Sequence, residues 1–203
     1  MTKGFFIVLE GPDGAGTSTH SALLVERFQK DGWNVIRTGE PTDGPIGIFI
    51  RRILAGHERV PSHVLQLLFS ADRAWHLHEI IEPALASGRT VICDRYIPST
   101  IAYGIATGLD AIWLAHVNEL FRKPDYLLYL LPPLEECLRR LSSRPGKDIF
   151  EVRSLQERVH AAYATIIAQD SSSAVFDTSG TKECVSTLLW NELMQRIAMV
   201  SSS

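Results

Sequence analysis

The chain has 203 residues, enough for one domain with a sizeable core. It is 45% hydrophobic and 21% charged, with a net charge of −3 and no block of Lys and Arg. That balance argues against a nucleic-acid duplex or an anionic membrane surface as partner. No apolar run approaches the ~20 residues of a membrane span, and the apolar sequence starting at Phe5 is expected to leave no room for a signal peptide. Cys93, Cys137 and Cys184 are odd in number and widely spaced, so reduced thiols and a cytoplasmic setting are expected. The seven histidines show no metal-binding spacing; His76 and His78 are two apart and would point to different faces of a helix.

In chain order, Phe5-Phe6-Ile7-Val8-Leu9 reads as a short strand buried on both faces, the kind found in the middle of a parallel sheet. Glu10 follows, and then Gly11-Pro12-Asp13-Gly14-Ala15-Gly16-Thr17-Ser18-Thr19. Gly11, Gly14 and Gly16 permit a tight turn with its N–H groups pointing inward. Ser18, Thr19 and Ala22-Leu23-Leu24 open a helix whose N-terminus faces the same hollow. Unpaired amides and the helix dipole both favour phosphate there. The loop resembles the phosphate-binding pattern G-x-x-x-x-G-K-[ST], except that Thr17 occupies the lysine position. The pattern is degenerate by itself, and a glycine-rich turn without a ligand is the alternative. Its place between an apolar strand and a helix favours phosphate.

The remaining segments alternate between strands and helices. Strands are expected over 33–38, 90–94, 126–131 and 174–177. Helices are expected over 46–54, over a long stretch from Ser62 to Ser87 with a break at Pro83, and over 99–106, 111–121, 133–141, 151–168 and 181–197. Five strands with intervening helices imply a three-layer α/β/α fold on a parallel sheet, within one domain spanning 1–203. Ligands then sit at the carboxyl ends of the strands. The polar, turn-rich segment 142–150 reads as a short lid.

The third strand delivers Asp94-Arg95-Tyr96 to the edge that carries the glycine loop. Asp94 is placed to hold Mg²⁺ opposite the Ser18 hydroxyl. Arg95 offers a planar fork of donors for a phosphate. A plain Asp94–Arg95 surface pair is the alternative. Phe69 and Arg73, four apart, share one face of their helix, with Val64, Leu65, Leu68 and Trp75 left to fill its core side. Ser99 and Tyr103 repeat that spacing.

Taken together, these residues resemble the thymidylate kinases, which move the γ-phosphoryl of ATP to dTMP. The landmarks are Glu10-Gly11-x-Asp13-Gly14-Ala15-Gly16, Glu40-Pro41, Leu68-Phe69-Ser70-Ala71-Asp72-Arg73, Asp94-Arg95-Tyr96-x-x-Ser99-x-x-Ala102-Tyr103, Asp148-x-Phe150-Glu151 and Arg158-Val159-x-x-x-Tyr163. The resemblance implies ATP and dTMP as substrates, Mg²⁺ on Ser18 and Asp94, and a symmetric homodimer with Trp75, Trp113 and Leu114 as candidate interface residues. It implies a dTMP site made of Asp13, Pro41, Phe69, Arg73, Arg95, Ser99, Thr100 and Tyr103. Within it, Phe69 stacks on the pyrimidine and Arg73 donates to its exocyclic oxygen. Arg95 grips the phosphate, Asp13 accepts from the sugar 3′-OH, and Tyr103 excludes a ribose hydroxyl by bulk.

Some family members carry an arginine inside the phosphate loop, where this chain has Gly14. A catalytic arginine is therefore expected from the lid, with Arg144 first and Arg140 and Lys147 behind it. Thr17 removes a cation that normally spans the β- and γ-phosphates. Either another cation replaces it, or the chain binds nucleotide with little turnover; replacement is expected, because the dTMP pocket is otherwise intact. Gly39, Gly104 and Ile149 also depart from the family, which usually has Arg, Gln and Arg there, and Gly104 leaves thymine selectivity open. A kinase for another pyrimidine nucleotide or nucleoside is a further alternative. A GTPase is disfavoured, since no Asn-Lys-x-Asp motif occurs.

Overall fold

A computed structural model describes residues 4–143, 149–170 and 172–201. Its strands are β1 (Phe6–Glu10), β2 (Val35–Gly39), β3 (Thr90–Asp94), β4 (Tyr126–Leu130) and β5 (Ala174–Phe176). They form one parallel sheet in the order β2-β3-β1-β4-β5, as the alternation of segments implies. β1 lies at the centre, and Phe6, Ile7, Val8 and Leu9 are each fully buried. Successive side chains leave a strand on opposite faces. Ile7 and Leu9 accordingly pack with Leu24 and Phe28 of α1 (Thr17–Lys30) and with Leu189 and Leu193 of α9 (Lys182–Ser201). Phe6 and Val8 pack on the other side with Leu77, Ile81 and Tyr96. That second layer also holds α3 (Ser62–His76), α5 (Ile97–Ala106) and α8 (Arg153–Gln169), which meet through Leu65, Ala102, Tyr103, Val159 and Tyr163.

The departures from the expected boundaries have local causes. The second strand starts at Val35 rather than Trp33, because the Trp33 ring leaves the ladder to pack on Phe5 and Phe28. The long helix is interrupted by a π-helical turn over Leu77–Ile81, ahead of Pro83. Pro83 then falls in the first turn of α4 (Glu82–Ala86), where its missing N–H is harmless. Helix α6 (Ala111–Asn118) stops short of Phe121, and Asn118 turns its amide back to the Leu114 carbonyl at 2.8 Å. Leu114 is fully buried against Gly104, so it is not available to a dimer interface. A Cβ at Gly104 would lie 2.5 Å from a Leu114 methyl, so a larger residue there would require the Leu114 side chain to shift.

The expected lid, 142–150, is described only at its ends. Ser142 closes α7 (Leu134–Ser142). On the far side the Ile149 N–H donates to the carbonyl of Leu54, the last residue of α2 (Pro45–Leu54), at 3.0 Å. Phe150 is buried against the Tyr103 ring, 5.0 Å between centroids. Arg144 and Lys147 lie outside the described residues.

Candidate active site

The parallel register sets Leu9 beside Asp94 and Asp94 beside Gly39, so the ends of β1, β2 and β3 converge on one edge. In an open α/β sheet, the edge where strand order reverses is where ligands bind. The glycine loop leaves β1 at this edge. Gly14 and Gly16 have φ of +83° and +94°, a region costly for residues with a Cβ. A side chain at Gly14 would also strike the Cys137 backbone at 2.5 Å, which excludes an in-loop arginine here. Gly16 starts α1 without a side-chain cap, leaving the first helical amides to face the hollow. Thr178 donates to the Ala15 carbonyl at 2.6 Å and holds the loop from behind. Arg140 donates to the carbonyls of Gly14, at 3.0 Å, and Thr178, at 2.5 Å, and to Glu136 at 2.7 Å. Its guanidinium thus braces the loop rather than standing free, contrary to its place among the lid candidates.

At the end of β3, Asp94 Oδ2 lies 3.6 Å from Arg37 Nη2, while its buried Oδ1 has no partner among the described residues. Arg37 itself donates to the Ser18 carbonyl at 3.1 Å and to Ser21 Oγ at 2.9 Å. Ser18 and Asp94 border one cavity, and a hydroxyl with a carboxylate is the kind of donor set that Mg²⁺ takes, since it uses few protein ligands and completes its shell with water and phosphate. No cluster of three His, Cys, Asp or Glu side chains that could hold a metal ion occurs among the described residues.

Arg95 has a φ of +70°, rare for a residue with a side chain and a mark of a functional constraint. Its guanidinium donates to the Gly11 carbonyl at 2.8 Å and to Asp13 Oδ1 at 2.6 Å. Burial opposes its charge, and the facing Tyr103 and Asp13 more than reverse that, so it stays protonated. Asp13 also accepts from Gln156 Nε2 at 3.0 Å, and its backbone N–H donates to Tyr103 Oη at 3.2 Å.

Beside this junction a cavity of about 200 Å³ is lined by Phe69, Arg73, Tyr103, Pro41, Thr100 and Gln66 together with Asp13, Arg95 and Ser99. All eight expected dTMP residues therefore converge on one hollow. A second cavity of about 680 Å³, bordered by Ser18, Arg37, Pro41, Asp94 and Arg95, opens between the loop and β2.

Two of the eight are less free than their spacing suggests. Arg73 is 1% exposed. It donates to Glu40 at 2.6 Å, to Thr100 at 2.9 Å and to Asn118, which leaves Nε as its unpartnered nitrogen. The Ser99 hydroxyl donates to Glu10 at 2.7 Å and shares a 2.8 Å contact with the Tyr163 hydroxyl. Glu10, fully buried, also accepts from Tyr163 at 2.8 Å. Burial pushes the Glu10 carboxyl above its usual range, with Ser99, Arg95 and Tyr163 pulling the other way.

Sequence reasoning assigned no role to Glu10, Arg37, Glu40, Gln66, Asn118 or Gln156. Glu10 and Glu40 sit in recognisable motifs, and polar residues amid apolar neighbours were the available signal for the others. Their partners come from distant parts of the chain.

A parallel sheet of this order, with a glycine loop after its central strand and a pocket beside an Asp-Arg strand end, defines a P-loop phosphotransferase acting between nucleotides. A family model described as thymidylate kinase matches residues 9–189. Several relatives carry the name "probable thymidylate kinase". That of Thermococcus gammatolerans is 44% identical over 169 residues, covering 79% of this chain and 81% of its own length. That of Pyrococcus horikoshii is 43% identical over 167 residues, covering 79% and 82%. That of Thermococcus onnurineus is 37% identical over 204 residues, covering 94% and 100%. The chain belongs to the thymidylate kinase family.

Proposed function

We infer that this protein transfers the γ-phosphoryl of ATP to dTMP, giving dTDP and ADP. The observation that carries this reading is the cavity that Phe69, Arg73 and Tyr103 line together with Arg95 and Asp13 of the glycine loop. The pyrimidine stacks on Phe69, and the acceptor phosphate is gripped by Arg95, which is already oriented by Asp13 and Gly11. Tyr103, 6% exposed, walls off the sugar. Residues Gly11 to Thr19 wrap the triphosphate, with the adenosine end along a cavity of about 480 Å³ between Arg139, Arg140 and Thr181. Ser18 and Asp94 would hold Mg²⁺, whose charge neutralises the transferring phosphoryl group.

Arg37, 3.1 Å from the Ser18 carbonyl, supplies in this reading the positive charge that Thr17 lacks. It lies two residues before Gly39, on the same face of β2, where the family usually has arginine. Arg144 remains the lid arginine of this reading, on the composition of its segment. The enzyme works in the cytoplasm as a homodimer.

The test is ADP release by the purified full chain with Mg-ATP and dTMP, dUMP, dCMP or thymidine. Fastest turnover with dTMP is expected. No turnover with any acceptor, while ATP still binds, overturns the reading. For Arg37, Arg37→Ala is expected to lower kcat at least tenfold, and Thr17→Lys in that background to restore part of the loss. An unchanged kcat in Arg37→Ala removes the residue from the mechanism.

A further inference from the structure

Gln66 lies on the same face of α3 as Phe69 and Arg73, at the i, i+3, i+7 spacing of one stripe. It lines the 200 Å³ cavity and is 1% exposed, yet neither its Nε2 nor its Oε1 has a hydrogen-bond partner among the described residues. A buried amide left unpaired is costly, so such a group calls for an explanation beyond packing. Nearby polar groups do not supply one. The Ser70 hydroxyl binds the Gln66 backbone carbonyl instead of its side chain. Ser99 is engaged by Glu10 and Tyr163, Asp13 by Arg95 and Gln156, and Tyr103 Oη by the Asp13 amide. Arg73 has given both terminal nitrogens to Glu40, Thr100 and Asn118, and its buried Nε is also without a partner.

Two residues that line a single hollow thus carry unsatisfied groups: an amide, which offers a donor beside an acceptor, and one N–H donor. A thymine or uracil edge offers the complement, with an imide N–H flanked by two carbonyls. We propose that Gln66 reads the pyrimidine, its Oε1 accepting from the ring N3–H and its Nε2 donating to O2, while Arg73 Nε donates to O4. Cytosine fails on both counts. Its N3 is an acceptor that meets the Gln66 oxygen, and its amino group meets the Arg73 donor. This rests on the assignment of the cavity to dTMP, and makes Gln66 a specificity determinant in place of the amide side chain absent at Gly104.

The experiment compares wild-type full chain with Gln66→Met, which keeps the volume and removes both hydrogen bonds. dTMP binding is read by calorimetry, and KM and kcat are read for dTMP, dCMP and ATP. The expected result is dTMP affinity weaker by about tenfold or more, a reduced preference over dCMP, and little change in ATP KM. Because the unbound protein loses a buried unpaired amide, the variant is expected to melt no lower than wild type. Unchanged dTMP affinity and an unchanged dTMP-to-dCMP preference overturn the assignment of Gln66 alone. A second arm needs no variant: wild-type protein is expected to bind 3-methyl-dTMP, which lacks the imide proton, at least about tenfold more weakly than dTMP. Equal binding overturns the proposal. Wild-type protein that takes no dTMP overturns both this proposal and the cavity assignment beneath it.

Discussion

The Glu40–Arg73 pair joins the cavity beside Phe69 to the interior, and its removal gives a stability effect that can be worked out in advance. The pair is 2.6 Å apart, with side chains 3% and 1% exposed. Glu40 also faces His76 Nδ1 at 3.1 Å, and His76 Nε2 meets Thr38 Oγ1 at 2.6 Å. Removing one partner of a buried pair costs about 3–5 kcal/mol, because the other charge stays behind without its counterion. In Glu40→Gln, Arg73 keeps Thr100, Asn118 and the Tyr96 ring face, 4.9 Å away, so the lower end, about 3 kcal/mol, applies. That is a large share of the 5–15 kcal/mol typical of a domain.

Arg73→Met leaves the opposite orphan, Glu40 beside a histidine, and is expected to cost about as much. The double variant leaves neither charge stranded. Its cost is therefore expected to fall short of the sum of the two by about 2–3 kcal/mol. Urea unfolding of the four proteins, with a common slope, supplies the cycle. Costs that add within about 0.5 kcal/mol refute the reasoning, since they would mean that the two groups are stabilised independently. Because the pair is closed to solvent, the coupling is also expected to be insensitive to salt.

Arg95 carries its positive φ on a residue with a Cβ, so Arg95→Gly is expected to be more stable than Arg95→Ala by about 1 kcal/mol, with both variants losing dTMP affinity. Equal urea midpoints for the two would refute strain at this position. Tyr103→Ala is expected to raise the kcat/KM ratio of ribo-UMP to dTMP by about tenfold, while Tyr103→Phe, which keeps the ring, leaves it unchanged; an unchanged ratio in the Ala variant refutes the steric role. His20 is buried and lies near Arg140 and Lys182; burial first, and then those charges, pull its pKa down to about 4. In the unfolded chain it titrates at about 6.5, so above that pH neither state holds the proton. As pH falls from about 6.5 to about 4, the unfolded chain takes up a proton that the native state refuses, and about 3 kcal/mol of stability is lost. His20→Gln is expected to flatten that limb in urea midpoints measured between roughly pH 7.5 and 4, and a limb as steep as in wild type refutes the assignment.

The elements were legible because their signals are local. An apolar run, a glycine loop and a helical face each lie within a few residues, and β3 falls at Thr90–Asp94 as read. Where reading failed, a distant partner decided. Trp33 was drawn from strand two by Phe5 and Phe28, and Asn118 ended α6 where its amide faces Arg73. The site divides in the same way. Arg95, Phe69 and Tyr103 stand in motifs whose order reveals them, whereas Glu10 is satisfied by Ser99 and Tyr163, 89 and 153 residues away.

The charge missing at Thr17 is a case in point. In the sequence it is a gap in one loop, because charge is read position by position. In the folded chain, β2 runs beside β3 and brings Arg37 to Ser18 and Asp94, while Gly39, with a Cβ position 2.9 Å from the Asp94 carbonyl, leaves no room for an arginine of its own. Electrostatics depends on where a charge stands rather than on which residue supplies it. On the reading proposed above, a cation on the strand can therefore stand in for one in the loop, provided that the strand ends converge as they do here.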